Sequence, residues 1–198
     1  MERPLIERKE SIILTTIDVI NELGIQGLST REVCKRQGIA NASLFNHFKS
    51  KNDLIIAVLD YYAQYDYAIF QSIKVKKLTA IDAVRYFFDS YFTYYENYPA
   101  ITAILHAYDI LRFEPSLTEK VDSILKEREK YLIELINEAQ TAKLLRSDIN
   151  SECISDILVG TGRAITLKWR MSNYEFSLKE RILYAIDAIL DSFIPKNI

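Results

Sequence analysis

Apolar residues recur at intervals of three and four along almost the whole chain, a pattern that predicts helices and no strands. Ile13, Ile17 and Ile20 mark a first helix that stops before Gly24, a residue that ends helices readily. Ser29-Thr30-Arg31-Glu32 has the S-x-x-E form of a capping box and opens a second helix, with Val33 inside and Gly38 at its end. A third, short helix is predicted from about Asn41 to Phe48. Ser50-Lys51-Asn52-Asp53 then caps a long fourth through LIIAVLDYYAQYDYAIF to about Ile73. Beyond a break near KVKKLT, helices are predicted over about Ala80–Asn97, Pro99–Leu111 and Pro115–Thr141. Two more run from Asn150 to about Met171 and from Ser177 until Pro195 stops the last. The expected fold is all-α with about nine helices, three short and six mostly longer, and with no internal repeat or low-complexity linker.

Composition narrows this little. With 49% apolar residues the 198-residue chain holds enough for a sizeable core, and 5 Gly and 4 Pro suit long helices better than many turns. Cys34 and Cys153 are far apart and form no CxxC pair, which argues for a reducing compartment. The start, MERPLIERKES, is charged and lacks the apolar centre of a signal peptide, and no apolar run reaches membrane-spanning length. The expectation is a cytoplasmic protein with no membrane partner.

Charge changes the picture. The chain carries a net charge of −2, yet between residues 31 and 51 the cations Arg31, Lys35, Arg36, Lys49 and Lys51 face the single acid Glu32. Such a patch attracts polyanions, and it also describes an ordinary solvated face. It coincides with a helix, a Gly-containing turn and a second helix, the order of a helix-turn-helix. Gly38 supplies the positive φ that ends the first helix of the pair. Val33, Leu44 and Phe48 hold the crossing, with Ile39 in the angle. Asn41, Ser43, Asn46 and His47 are left facing out. A helix that buries two positions and shows short polar side chains fits a major groove; it equally fits a solvated helix of an all-helical core.

The stretch GIQGLSTREVCKRQGIANASLFNHFKSKNDLI resembles the DNA-binding signature of the tetracycline-repressor (TetR) family. That signature has a Gly-aliphatic loop, a Ser/Thr-capped helix with an Arg, a Gly turn, a recognition helix ending Leu-Tyr-x-x-Phe, and a Ser-Lys-x-x-Leu helix start. The likeness covers roughly residues 8–59; beyond it only helix number and order are similar. It implies a helix-turn-helix domain over residues 1–49 and a ligand-binding and dimerisation domain over 50–198. It also implies a ligand-released repressor acting as a homodimer on a near-palindromic operator in double-stranded DNA, with no cofactor. Ser29 and Thr30 would face phosphate at a helix N-terminus, and Arg31 would reach a base edge or phosphate. Asn41, Ala42 and Ser43 would lie at the base-reading end, followed by Phe45 and Asn46, while His47 and Lys51 would hold phosphates. Two positions depart from the signature. Phe45 replaces the usual Tyr and removes its phenol, and Ala40 replaces a common capping Ser, so Asn41 either caps its helix or reads a base.

Other chemistry has less support. Two His and two Cys give a structural metal site poor material, and no Gly-rich phosphate loop exists. Phe88, Tyr91, Phe92 and Tyr95 share one helical face that serves as core or as the wall of a roomy, part-polar cavity. Tyr62, Tyr65, Tyr91, Tyr95, His106 and Trp169 are the expected ligand-pocket residues. The effector would be small and lipophilic or aromatic. Asp66, Asp89 and Asp109 nearby in sequence favour a cation, held by cation–π contact.

The last helix carries Leu178, Ile182, Leu183, Ile186, Ile189, Leu190 and Phe193 around most of its girth, more than the single apolar face one neighbour covers. The dimer interface is therefore expected from Ile154, Ile157, Leu158 and Ile165 together with Ile182, Ile186, Ile189 and Phe193. A small all-α enzyme or ligand carrier with a helix-turn-helix-like segment is the competing class, and an activator would share the same fold.

Overall fold

The computed structural model describes residues 8–195; residues 1–7, read above as a charged start, lie outside the described residues. All regular elements among those described are helical. They are α1 (Arg8–Gly27), α2 (Thr30–Gln37), α3 (Asn41–Phe45), α4 (Lys51–Ala63), α5 (Asp66–Lys76), α6 (Ala80–Asn97), α7 (Thr102–Leu111), α8 (Pro115–Thr141), α9 (Ser151–Met171) and α10 (Leu178–Ser192), with one 3-10 turn at Pro99–Ile101. The all-α class is as expected. The helices number one more among the described residues because the long fourth helix divides between Ala63 and Asp66. No Gly or Pro marks that break. Gly24, with φ 70°, interrupts α1 rather than ending it.

The chain forms two compact units. One comprises residues up to Gln64 together with Tyr98–Ile124; the other comprises Tyr65–Asn97 together with residues from Leu125 onward. In the first, α1 packs against α2, α4, α7 and the 3-10 turn. Its core holds Ile12, Ile17, Val33, Leu44, Leu54, Leu59, Ile101 and Ile104, each with no exposure. Polar ties add direction at the rim: Asn52 Nδ2 donates to Ser116 Oγ at 2.7 Å, and Lys120 pairs with Asp60 at 2.5 Å.

In the second unit α6 packs against α5 and α10, and α10 against α9. The aromatic stripe Phe88, Tyr91, Phe92, Tyr95 is buried. Phe87 meets Tyr91 edge-on at 4.8 Å, Phe92 meets Tyr95 at 5.5 Å, and Phe70 stacks on Tyr131 at 4.0 Å. Gly162 lets α9 approach this layer, since a Cβ there would lie 3.0 Å from Phe92 Cζ. A charged pair sits beside the rings. Asp66, only 6% exposed, accepts two hydrogen bonds of 2.8 Å from Arg128 and a third of 2.8 Å from the Tyr91 hydroxyl. The Arg128 guanidinium also lies 4.6 Å over the Tyr91 ring and donates to Tyr95 at 3.3 Å.

Removing one member of a buried charge pair leaves the other uncompensated, whereas replacing both by apolar groups costs little. Asp66→Leu therefore leaves Arg128 without its acid and should lower unfolding free energy by about 3–5 kcal/mol. Adding Arg128→Met should restore most of that loss. Urea denaturation of both variants checks this, and a double variant no more stable than the single would disprove it.

Candidate nucleic-acid interface

The helix-turn-helix is built from its caps. Ser29, in extended conformation, accepts from the Glu32 amide at 3.1 Å and so opens α2. Glu32 does not complete the reciprocal half of a capping box, because its carboxylate takes the Arg36 Nε at 2.9 Å. Gly38 ends α2 in the left-handed region, φ 64°, and its amide reaches the Cys34 and Lys35 carbonyls. Gln37 ties α2 to α1: its amide nitrogen donates to the Ser11 carbonyl at 2.9 Å and to the Thr15 hydroxyl. Nothing in the local pattern marked Gln37, whose partners lie a helix away.

The second helix of the pair, α3, spans only Asn41–Phe45, and Asn46, His47 and Phe48 follow in a turn. The expected extent to Phe48 is thus corrected. Turn hydrogen bonds continue instead, with the Phe48 amide on the Leu44 carbonyl at 3.0 Å. Leu44 and Phe48 are buried with Val33, as the crossing requires. Asn41, Ala42, Phe45, Asn46 and His47 are exposed, Ser43 is half-buried, and Phe45 shows 46% of its surface. Ala40 is the N-cap and offers no side-chain bond, so Asn41 stands in the first turn and is not the cap. Ser50 caps α4 through the Asp53 amide at 3.1 Å, leaving exposed Lys51 at that helix start.

The five cations are not equivalent. Arg36 is held by Glu22 at 2.8 Å and Glu32 at 2.9 Å. The hydrogen bond from Arg36 holds the Glu32 carboxyl below its usual range. Arg36 is therefore compensated internally, and Arg31, Lys35, Lys49 and Lys51 remain as exposed cations. Lys9 joins them, lying 5.8 Å over the Phe48 ring; it falls outside the sequence window that defined the patch.

The expected pocket residues are scattered. Tyr62, 1% exposed, meets Tyr108 edge-on at 5.6 Å within the first unit. His106, expected in a core or pocket, lies on the exposed side of α7. In the second unit Tyr91 and Tyr95 are engaged with Asp66 and Arg128. Trp169 is buried and donates its indole N–H to the Phe176 carbonyl at 2.8 Å. Tyr65 lines an open groove. Two of the three acids expected to favour a cation are taken, Asp66 by Arg128 and Asp89 by Lys179 at 2.8 Å, and Asp109 is exposed on α7.

Four expected interface residues are core of the single chain. Ile154, Leu158, Ile182 and Ile186 have no exposure, and Phe193 has 9%. Of the others, Ile157 is 40% exposed, and Ile165 and Ile189 are half-buried. A different stripe is open on α9: Cys153, Ile157, Gly160, Ala164, Leu167 and Met171, alternating by four and three residues. Tyr184 on α10 is 81% exposed and Ala188 is exposed too. Among the described residues no cluster of three or more His, Cys, Asp or Glu could hold a metal, and no helix is long and apolar enough to cross a membrane.

Residues 12–58 match the family described as bacterial regulatory proteins, tetR family. The tetracycline repressor protein class C of Escherichia coli is 34% identical over 53 residues, 27% of this chain and 24% of that protein. The chain thus spans about a quarter of the length of the tetracycline repressors it matches. Solved structures extend the likeness to the whole fold. The ketosteroid transcriptional regulator KstR2 of Mycobacterium tuberculosis superposes with a TM-score of 0.83 at 16% identity, covering 96% of this chain and 97% of that one. The transcriptional regulator FadR from Bacillus subtilis, solved in complex with stearoyl-CoA, has a TM-score of 0.72 at 20% identity over 93% and 96% of the two chains. These neighbours are named as regulators, not as enzymes.

The bare cap at Ala40 is testable. Ala40→Ser should supply the missing side-chain acceptor and stabilise the domain by about 0.5–1 kcal/mol. Thermal denaturation checks it; an unchanged midpoint would show that α3 gains nothing from a cap.

Proposed function

We propose that this chain, a member of the tetR family of bacterial regulatory proteins, is a ligand-responsive transcriptional regulator that represses from a near-palindromic operator as a dimer. The observation that carries the reading is the short α3, with its exposed Asn41, Ala42, Phe45, Asn46 and His47 flanked by exposed Arg31, Lys35, Lys49 and Lys51. Residues 1–49 form the DNA-binding domain and 50–198 the ligand-binding and dimerisation domain. Arg31 and Asn41 read base edges, for which a guanidinium suits guanine and a carboxamide suits adenine. Ser29, Thr30, Ser43, His47 and Lys51 hold backbone or base-edge oxygens and set the register. Work on genomic DNA places the protein in the cytoplasm.

Dimerisation uses the exposed stripe of α9 rather than its buried face. Spacing by four and three residues makes a seam along one side of a helix. Gly160 and Ala164 at its centre permit close approach, and Ile157, Leu167 and Met171 supply apolar area. Half-buried Ile165 and Ile189 lie at its edge. A two-fold pairing sets two recognition helices on successive major grooves. An effector releases DNA if it prefers a shape in which that spacing is wrong. The FadR structure with stearoyl-CoA gives a precedent for a small molecule bound by this fold.

An inverted repeat in DNA flanking the chain's own gene is the natural probe in a gel shift. The logarithm of affinity should fall with the logarithm of salt by about 0.9 per phosphate contact. Lys51→Ala should reduce that slope by about 1 per head, whereas Arg36→Ala should leave it unchanged because Glu22 and Glu32 already compensate Arg36. A salt-independent affinity would remove the DNA-binding reading.

Leu167→Glu places a charge on an exposed position of the fold, so the chain should stay folded and become monomeric, with operator affinity falling steeply. Sedimentation and gel shift read the two effects. A folded Leu167→Glu chain that remains dimeric would move the interface elsewhere.

A further inference from the structure

Along α5 and α6 runs a groove of about 400 Å³. Tyr65 and Tyr94 wall one end, edge to face at 4.8 Å. Tyr86, Ser72 and Ser90 line the other end, and Thr93 lies between. Seven residues separate Tyr65 from Ser72 on the same helix edge, so the two ends are about 10 Å apart. None of the residues lining the groove carries a charge. A cation lies beside the second end: Lys76 Nζ is 4.3 Å from the centre of the Tyr86 ring.

The polar end sets hydroxyls beside a cation. Burial alone would raise the Tyr86 phenol, yet hydrogen bonds from Ser72, Ser90 and Lys76, with the Lys76 charge, outweigh it and hold the phenol below its usual value. The Lys76 ammonium has three N–H donors, so it can serve a ligand as well as Tyr86. Thr93 Oγ1 is shielded from solvent and has no hydrogen-bond partner, an arrangement that costs free energy until an acceptor or donor arrives.

We propose that this groove binds a planar two-ring aromatic acid, its rings against Tyr65 and Tyr94 and its carboxylate towards Lys76. Aromatic faces and edges supply the apolar contact. A charge-assisted hydrogen bond from Lys76 supplies the orientation. Asp66 and Asp89, two of the three acids that would have drawn a cation, are bound to Arg128 and Lys179, and the third, Asp109, does not line the groove, which reverses the sign of ligand expected from the sequence. The proposal names the class of effector for the regulator proposed above and rests on that reading for its regulatory consequence only.

Calorimetric titration of the DNA-free protein with 2-naphthoate tests it, with 2-naphthylmethylammonium as the cation of the same shape. One naphthoate per chain should bind and the cation should not. Lys76→Gln should weaken naphthoate by roughly tenfold, the loss of one charge-assisted hydrogen bond. Ala68→Trp, at an exposed groove position, should fill the site and abolish binding while the circular-dichroism melt stays unchanged. No heat with millimolar naphthoate, equal binding of the cation, or undiminished binding by a folded Ala68→Trp chain would each overturn the assignment. Because no DNA is present, a failure of operator binding in the gel shift leaves this result untouched.

Discussion

The bidentate pair of Asp66 and Arg128 sets the terms for the second of the two compact units. A buried carboxylate needs a partner of opposite charge and further hydrogen bonds for its remaining lone pairs. Arg128 supplies two of these and Tyr91 a third. Satisfying Asp66 also locates it in the first turn of α5, where the helix dipole favours a negative group. The division of the expected long fourth helix, the anchoring of the Tyr91 and Tyr95 hydroxyls and the packing of the aromatic stripe share this one device. It also takes Asp66 out of the set that would have attracted a cationic ligand. The aromatic stripe is buried, and a groove lies open along α5 and α6.

A similar economy governs the helix-turn-helix. Short helices gain little from propensity and depend on their ends. Ser29 and Ser50 close the starts of α2 and α4, and Gly38 closes the end of α2. Between them α3 has no side-chain cap and holds its place through Leu44 and Phe48. Its exposed side chains are therefore unencumbered by capping duty, which suits a surface meant to read bases. Arg36 shows the reverse. A cation that looks available in the sequence is bound twice over, and its charge serves the join between α1 and α2.

Much of this was legible in the residue pattern because it is local. Capping at Ser29, Ser50 and Ser177, the left-handed turn at Gly38, and the burial of Val33, Leu44 and Phe48 all follow from spacings of three or four residues. What escaped depends on partners far along the chain. Asp66 and Arg128 are 62 residues apart, and the Glu22 that neutralises Arg36 lies on another helix. The break at Gln64 and Tyr65 has no Gly or Pro to announce it. His106 sits among apolar neighbours in sequence yet on the outer side of α7. Periodicity finds an apolar helix face without saying whether the chain's own core or a second copy covers it. On α9 the chain's own core covers Ile154 and Leu158, whereas Ile157, expected beside them, is 40% exposed.

The difference matters for what dimerisation can contribute. A charge at Ile186 would be buried in the fold of one chain, so any loss of DNA binding would follow from unfolding and would say nothing about pairing. A charge at Leu167, 47% exposed, leaves the core intact and acts on association alone. The distinction bears on the origin of affinity in the proposed regulator. One head offers few free cations once Arg36 is set aside, and each phosphate contact contributes through counterion release. Two heads held at fixed separation double those contacts and make the second engagement intramolecular, with an effective concentration set by the frame. Rigidity of the frame then becomes the quantity an effector must alter. A ligand in the α5–α6 groove would act beside the helix that Asp66 opens, where a buried pair already fixes the backbone.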